Sequence, residues 1–106
     1  MNLLELRPSR NIQWEKGEDG LAVLLVPKFR NRLLAEWLMP RLAKPYFRVK
    51  LDALGSFVWQ RCDGSTPVER IAEEMKTAFG ESAEPVHDRI AAFLRKLEKE
   101  KFLLVR

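Results

Sequence analysis

Cys62-Asp63-Gly64-Ser65-Thr66-Pro67-Val68-Glu69-Arg70-Ile71-Ala72 is the stretch on which the fold turns. Asp63-Gly64 is a stop signal for one helix. Thr66-Pro67-Val68-Glu69 has the form of a capping box for the next, with proline at the first helical position. Its hydroxyl and carboxylate would each satisfy an N–H left orphaned at the helix start. Two helices joined by a short polar turn are therefore predicted on either side of Gly64.

Downstream, Ile71, Ala72, Met75 and Phe79 continue the second helix to Gly80. A third begins around Ser82 to Val86 and carries Val86, Ile90, Phe93, Leu94 and Leu97 on one face. Phe102-Leu103-Leu104-Val105 reads as a terminal strand or docked tail over 102–105. Upstream, Leu51 to Cys62 sets Leu54, Phe57, Val58 and Arg61 at helical spacing, with Asp52 as N-cap. The three helices together occupy 51–100.

Before them, Tyr46-Phe47-Arg48-Val49-Lys50 alternates as a strand does, which predicts Phe47 and Val49 facing inward and Tyr46, Arg48 and Lys50 outward. Further back, Ile12-Gln13-Trp14-Glu15 and Leu21 to Val26 flank the turn Lys16-Gly17-Glu18-Asp19-Gly20, a hairpin over 12–26. Between hairpin and third strand, residues 28–45 read as a basic amphipathic helix. Leu34, Trp37, Leu38 and Leu42 lie on one side of it, and Arg30, Arg32 and Arg41 elsewhere on the cylinder. Pro40 should kink or end it, and Lys44-Pro45 should extend the chain. The expected fold is one α+β domain over 1–106, a small antiparallel β-sheet packed on three helices with an extra helix inserted between strands 2 and 3. That is the layout of the winged helix-turn-helix class.

Composition narrows the function. The chain has 106 residues, 46% of them apolar and 32% charged, ordinary values for a soluble domain. A single cysteine, Cys62, rules out an internal disulfide and suits a reducing compartment. With neither a signal peptide nor an apolar run long enough to span a bilayer, a cytoplasmic location is expected. Met1 to Lys50 carries ten basic and five acidic residues, and seven of those basic residues fall between Lys28 and Lys50. Catalysis is not expected. One cysteine and one histidine, His87, cannot furnish a four-ligand zinc site. Cys62 reads as a core residue and His87 as a solvated one in a helix's first turn. Glu73 and Glu74 are adjacent and so do not share a helix face. Gly17 and Gly20 belong to a turn and match no nucleotide-binding loop. No cofactor and no metal is expected.

Several blocks together resemble the PqqD family. They are Val49-Lys50-Leu51-Asp52, Val58-Trp59, the stretch Cys62 to Ala72, Phe79-Gly80, and Val86 to Leu97 followed by Phe102-Leu103-Leu104. Trp14 and the run Leu21 to Val26 fit that family's opening hairpin loosely. The resemblance implies a winged helix-turn-helix domain, also called a RiPP recognition element. Such a domain grips the leader segment of a ribosomally made precursor peptide and presents it to a modifying enzyme, often a radical-SAM protein. In the family the leader adds as a strand beside the third strand and lies against the third helix. Carried onto this chain, the peptide-binding residues would be Tyr46, Phe47, Arg48, Val49 and Lys50 with Arg89, Ile90, Phe93, Leu94 and Leu97. Arg48, Lys50 and Arg89 would then favour an acidic leader. At least half of the apolar positions are expected to be core instead.

The inserted helix departs from the family's short link and implies a relative serving a peptide system other than pyrroloquinoline quinone synthesis. Its residues Arg30, Leu34, Trp37, Leu38 and Arg41 are candidates for contact with a partner enzyme or a second copy, so an adaptor or homodimer is one alternative. A winged-helix DNA-binding protein is another. Nucleic acid is not the expected partner, because the third helix interleaves acids with its bases from Arg95 to Lys101. A membrane is not expected either, given Pro40 and the short apolar face.

Overall fold

The computed structural model describes residues 2–28, 36–37 and 39–106. Among these the architecture is α+β, with three α-helices and two small antiparallel sheets. The chain divides into two compact units, one of Met1–Asn11 with Asp52–Arg106 and one of Ile12–Leu51.

The first unit holds the helices. Helix α1 spans Ala53–Gln60 and is capped as expected, the Gly55 N–H donating to Asp52 Oδ1 at 2.7 Å. The carbonyls at its other end are orphans of the helical ladder. Arg10 meets them from far away in sequence, its Nη1 donating to Trp59 O at 3.0 Å and Gln60 O at 2.9 Å. A cation is favoured there by the helix dipole as well.

Helix α2 spans Val68–Phe79 and ends at Gly80, whose φ of 58° suits a residue without a side chain. Its start corrects the capping-box expectation. Pro67 is the N-cap and no side chain caps the helix. Thr66 is committed elsewhere: its Oγ1 donates to Asp63 Oδ2 at 3.0 Å, and the Ser65 and Thr66 N–H groups donate to Asp63 Oδ1, both at 2.8 Å. The Asp63 carboxylate organises the turn and orients the Thr66 hydroxyl within it, one residue ahead of the observed N-cap. Gly64 follows at φ 83° and donates its N–H to Pro8 O at 2.8 Å, so the turn also holds the N-terminal segment.

Helix α3 spans Val86–Lys99, and Lys101 at φ 62° turns the chain into the last strand. The first and last strands of the chain, β1 (Pro8–Arg10) and β5 (Leu103–Val105), pair antiparallel with Ser9 opposite Leu104. The expected tail at 102–105 is thus a strand, and β1 was not foreseen. Val58, Trp59, Val68, Ile71, Met75, Val86, Ile90, Leu94 and Leu103 are all buried in this unit.

The second unit is a three-stranded sheet in the order β2 (Trp14–Lys16), β3 (Ala22–Pro27), β4 (Tyr46–Lys50). The hairpin forms as expected, with each strand starting one or two residues late. Central β3 buries Ala22, Val23, Leu24 and Val26. Strand β4 corrects the sequence reading: Phe47 is 58% exposed and Val49 40%. Alternation fixed which side chains share a face but not whether that face is covered out at the edge of the sheet. Residues 29–35 and 38 of the inserted helix expected over 28–45 lie outside the described residues. Glu36 and Trp37 are helical, and Met39–Arg41 form a 3-10 turn around Pro40.

Candidate functional site

Strand β4 lies at the edge of its sheet, with no strand beyond it among the described residues. Its register determines which main-chain groups face outward. Lys28 N–H donates to Pro45 O at 3.0 Å and Leu51 N–H to Ala22 O at 2.9 Å, so those two pairs are the hydrogen-bonded kind. Antiparallel ladders alternate. Phe47 and Val49, opposite Val26 and Leu24, therefore bond to β3. Tyr46, Arg48 and Lys50 turn their N–H and C=O groups away from it. The same alternation holds on the other flank of β3, where Leu25 N–H donates to Gln13 O and Gly17 N–H to Leu21 O, both at 2.9 Å.

The side chains of β4 divide into two faces. Phe47 and Val49 lie on the face of Trp14, Leu24 and Val26, with Lys28 Nζ 5.4 Å from the Phe47 ring centroid. Arg48 and Lys50 lie on the opposite face, and neither is a bare cation. Arg48 is ion-paired with Glu15, and Lys50 with Asp19. The hydrogen bond from Lys50, helped by the Leu21 N–H, holds the Asp19 carboxyl below the usual carboxylate range.

On the helix unit, a recess of about 140 Å³ opens between the helices. Leu54, Gly55 and Val58 of α1, Met75 of α2, and Ile90 and Phe93 of α3 form its apolar walls, and Asp52 and Arg89 supply its polar groups. A cavity of about 150 Å³ accepts one benzene-sized group, so this recess matches a single apolar side chain. Arg89 is exposed and donates from Nη1 to Ser82 O at 2.6 Å.

Of the residues expected on α3, Arg89, Ile90 and Phe93 meet at this recess, Ile90 itself being buried. Leu94 and Leu97 are buried core and present no surface to a ligand. They follow the core periodicity of the helix, as half of the apolar candidates were expected to. Asp52, Leu54, Gly55 and Met75 were not foreseen as site residues. The sequence marked Asp52 as an N-cap and Leu54 and Met75 by helical spacing, but not as a site, since a recess depends on helix packing. Arg30, Leu34 and Leu38, the partner-contact candidates of the inserted helix, lie outside the described residues. Trp37 is 61% exposed, with the Arg41 guanidinium 5.1 Å from its ring centroid and donating to the Trp37 carbonyl.

Cys62, Asp63 and Glu74 have structural uses. Cys62 is fully buried, its Sγ–H donating to Val58 O at 3.1 Å, and desolvation pushes the thiol up to about 12. A neutral, buried thiol is a poor nucleophile. A maleimide is accordingly expected to leave Cys62 unmodified in the folded protein and to label it fully in denaturant; mass spectrometry reads both, and rapid native labelling would contradict the burial. Asp63 is held low by the N–H groups of Ser65 and Thr66. Glu74 pairs with Arg61 at 3.5 Å, while Glu73 and His87 are exposed. No helix among the described residues is long and apolar enough to cross a membrane, and no cluster of metal-ligating side chains occurs among them.

The family model described as coenzyme PQQ synthesis protein D (PqqD) matches residues 46–103, more than half of the chain. No curated protein and no solved structure matches it.

Proposed function

Because the chain belongs to the PqqD family, we propose that it is a non-catalytic module that binds the leader segment of a ribosomally made precursor peptide. It presents that peptide to a modifying enzyme of its biosynthetic pathway. In this reading the leader adds as a strand along β4, and the layout of helices and small sheets is that of a winged helix-turn-helix domain.

The observation that carries the reading is the outward-facing main chain of Tyr46, Arg48 and Lys50 at an edge with no partner strand among the described residues. Unpaired edge groups are a template for an extended segment, which gains main-chain hydrogen bonds there. Exposed Phe47 and Val49 on one face of that edge offer apolar contact to alternate side chains of the peptide. Strand addition supplies affinity from any sequence, and side-chain pockets supply the selection. Nothing in this mode asks the protein to move a proton or hold a metal, in keeping with a buried thiol and a solvent-exposed histidine. Exposed Trp37, stacked under Arg41, is the natural contact for the partner enzyme.

Titration of the protein with the precursor peptide encoded beside it is expected to give saturable binding at micromolar concentration or tighter. The amide resonances of Arg48 and Lys50 should shift with the binding curve. If no neighbouring precursor peptide gives saturable binding, the proposal fails.

A further inference from the structure

On one face of the sheet, the two cations of the open edge meet carboxylates of their own hairpin. Glu15 stands opposite Val23 and Arg48 opposite Leu25, so both side chains project from the same face of β3 and reach across it to each other. Asp19 comes from the turn between β2 and β3 and reaches Lys50. Glu18 borders the same shallow recess as Asp19, Arg48 and Lys50. Two cations on this face therefore sit among three carboxylates, and the basic excess of the first half of the sequence is not expressed here. The other face of the edge carries exposed Phe47 and Val49.

We propose that Glu15 and Asp19 set the charge selectivity of the β4 edge: by neutralising Arg48 and Lys50 from within the sheet, they remove its preference for acidic peptides. The edge then takes an extended peptide with apolar residues at alternate positions beside Phe47 and Val49 and uncharged residues between them. This rests on the peptide-binding reading above and replaces the acidic leader that Arg48 and Lys50 alone would suggest. The mechanism is competition. A peptide carboxylate could gain Arg48 or Lys50 only by displacing Glu15 or Asp19, and would meet those carboxylates and Glu18 as like charges. Charge placement of this kind rejects partners as much as it attracts them. An incoming strand also alternates its side chains between faces, so the two faces of β4 read successive peptide residues separately.

Two synthetic peptides of equal length test this, with apolar residues alternating with Gln in one and with Glu in the other. Wild-type protein should bind the Gln peptide at least as well as the Glu peptide by fluorescence anisotropy. Glu15→Gln with Asp19→Asn should shift the ratio toward the Glu peptide by about fivefold, the size expected for freeing two exposed cations. Asn at position 19 can still accept the Leu21 N–H that shapes the turn, donated to Asp19 Oδ1 at 3.0 Å, so the hairpin persists. In parallel, a carboxylate titration by NMR should find Asp19 low in the wild type and raised toward its ordinary value in Lys50→Met, where only the Leu21 N–H still holds it down. A wild-type preference for the Glu peptide, an unchanged ratio in the double variant, or an Asp19 indifferent to Lys50→Met overturns the proposal. If neither peptide binds while Asp19 still titrates low, the ion pair stands but the peptide-binding reading fails, and the selectivity falls with it.

Discussion

Trp59→Ala is expected to abolish cooperative folding of the helix unit, or to leave it only marginally folded. The indole is fully buried in α1. Truncating a buried tryptophan to alanine costs about 3–5 kcal/mol, through lost transfer energy and the cavity left behind. The total stability of a domain is only about 5–15 kcal/mol. Here the chain is divided between two compact units, so neither draws on the whole core. The helix around Trp59 also holds the Arg10 guanidinium at its last carbonyls and lends Leu54, Gly55 and Val58 to the recess. A loosened α1 would loosen both. Urea unfolding followed by circular dichroism should show the transition moved to low denaturant or lost. Trp37→Ala is the control, since that ring is 61% exposed and its loss should change stability by no more than about 0.5 kcal/mol. A Trp59→Ala protein that unfolds within about 1 kcal/mol of wild type would contradict the packing described for α1.

Much of this fold was legible because its signals are local. The three- and four-residue steps that link Ile71 and Ala72 to Met75, and Val86 to Ile90, Leu94 and Leu97, define the buried faces of α2 and α3. Asp52 and Gly80 mark a helix start and a helix end through single-residue chemistry, a side-chain acceptor and a positive φ. What stayed hidden depends on partners distant in sequence. Strand β1 is three residues without an apolar pattern and exists through its pairing with β5. The Thr66 cap is absent because Pro67, one residue later, occupies the N-cap, and the Thr66 hydroxyl lies in the turn, donating to Asp63 three residues earlier. Phe47 and Val49 were correctly placed on one face, but their exposure follows from edge position. The candidate site divides along the same line. The edge strand could be read from alternation, whereas the neutralising of Arg48 by Glu15 required the register that sets their strands on either side of β3.

That register also yields the sharpest test of function. Arg48→Pro is expected to leave the sheet folded and to weaken leader-peptide binding at least about tenfold, about 1.4 kcal/mol. Arg48 belongs to the pairs whose main chain points away from β3, so its N–H takes no part in the β3 ladder. Proline is tolerated on an edge strand at such a position, and its fixed φ near −65° remains within the extended region. An added strand, in contrast, would lose one donor and meet the pyrrolidine ring at the centre of its contact. Arg48→Ala separates charge from backbone: it removes the ion pair with Glu15 but keeps the N–H, and should bind within about twofold of wild type, as exposed ion pairs contribute little. Val49→Pro supplies the opposite control. Val49 faces Leu24 as a hydrogen-bonded pair, so proline there should damage the sheet itself and lower its stability in circular dichroism. If Arg48→Pro binds as well as Arg48→Ala, the peptide does not use the main chain of β4. The recess beside Ile90 and Phe93 would then have to supply the affinity without strand addition.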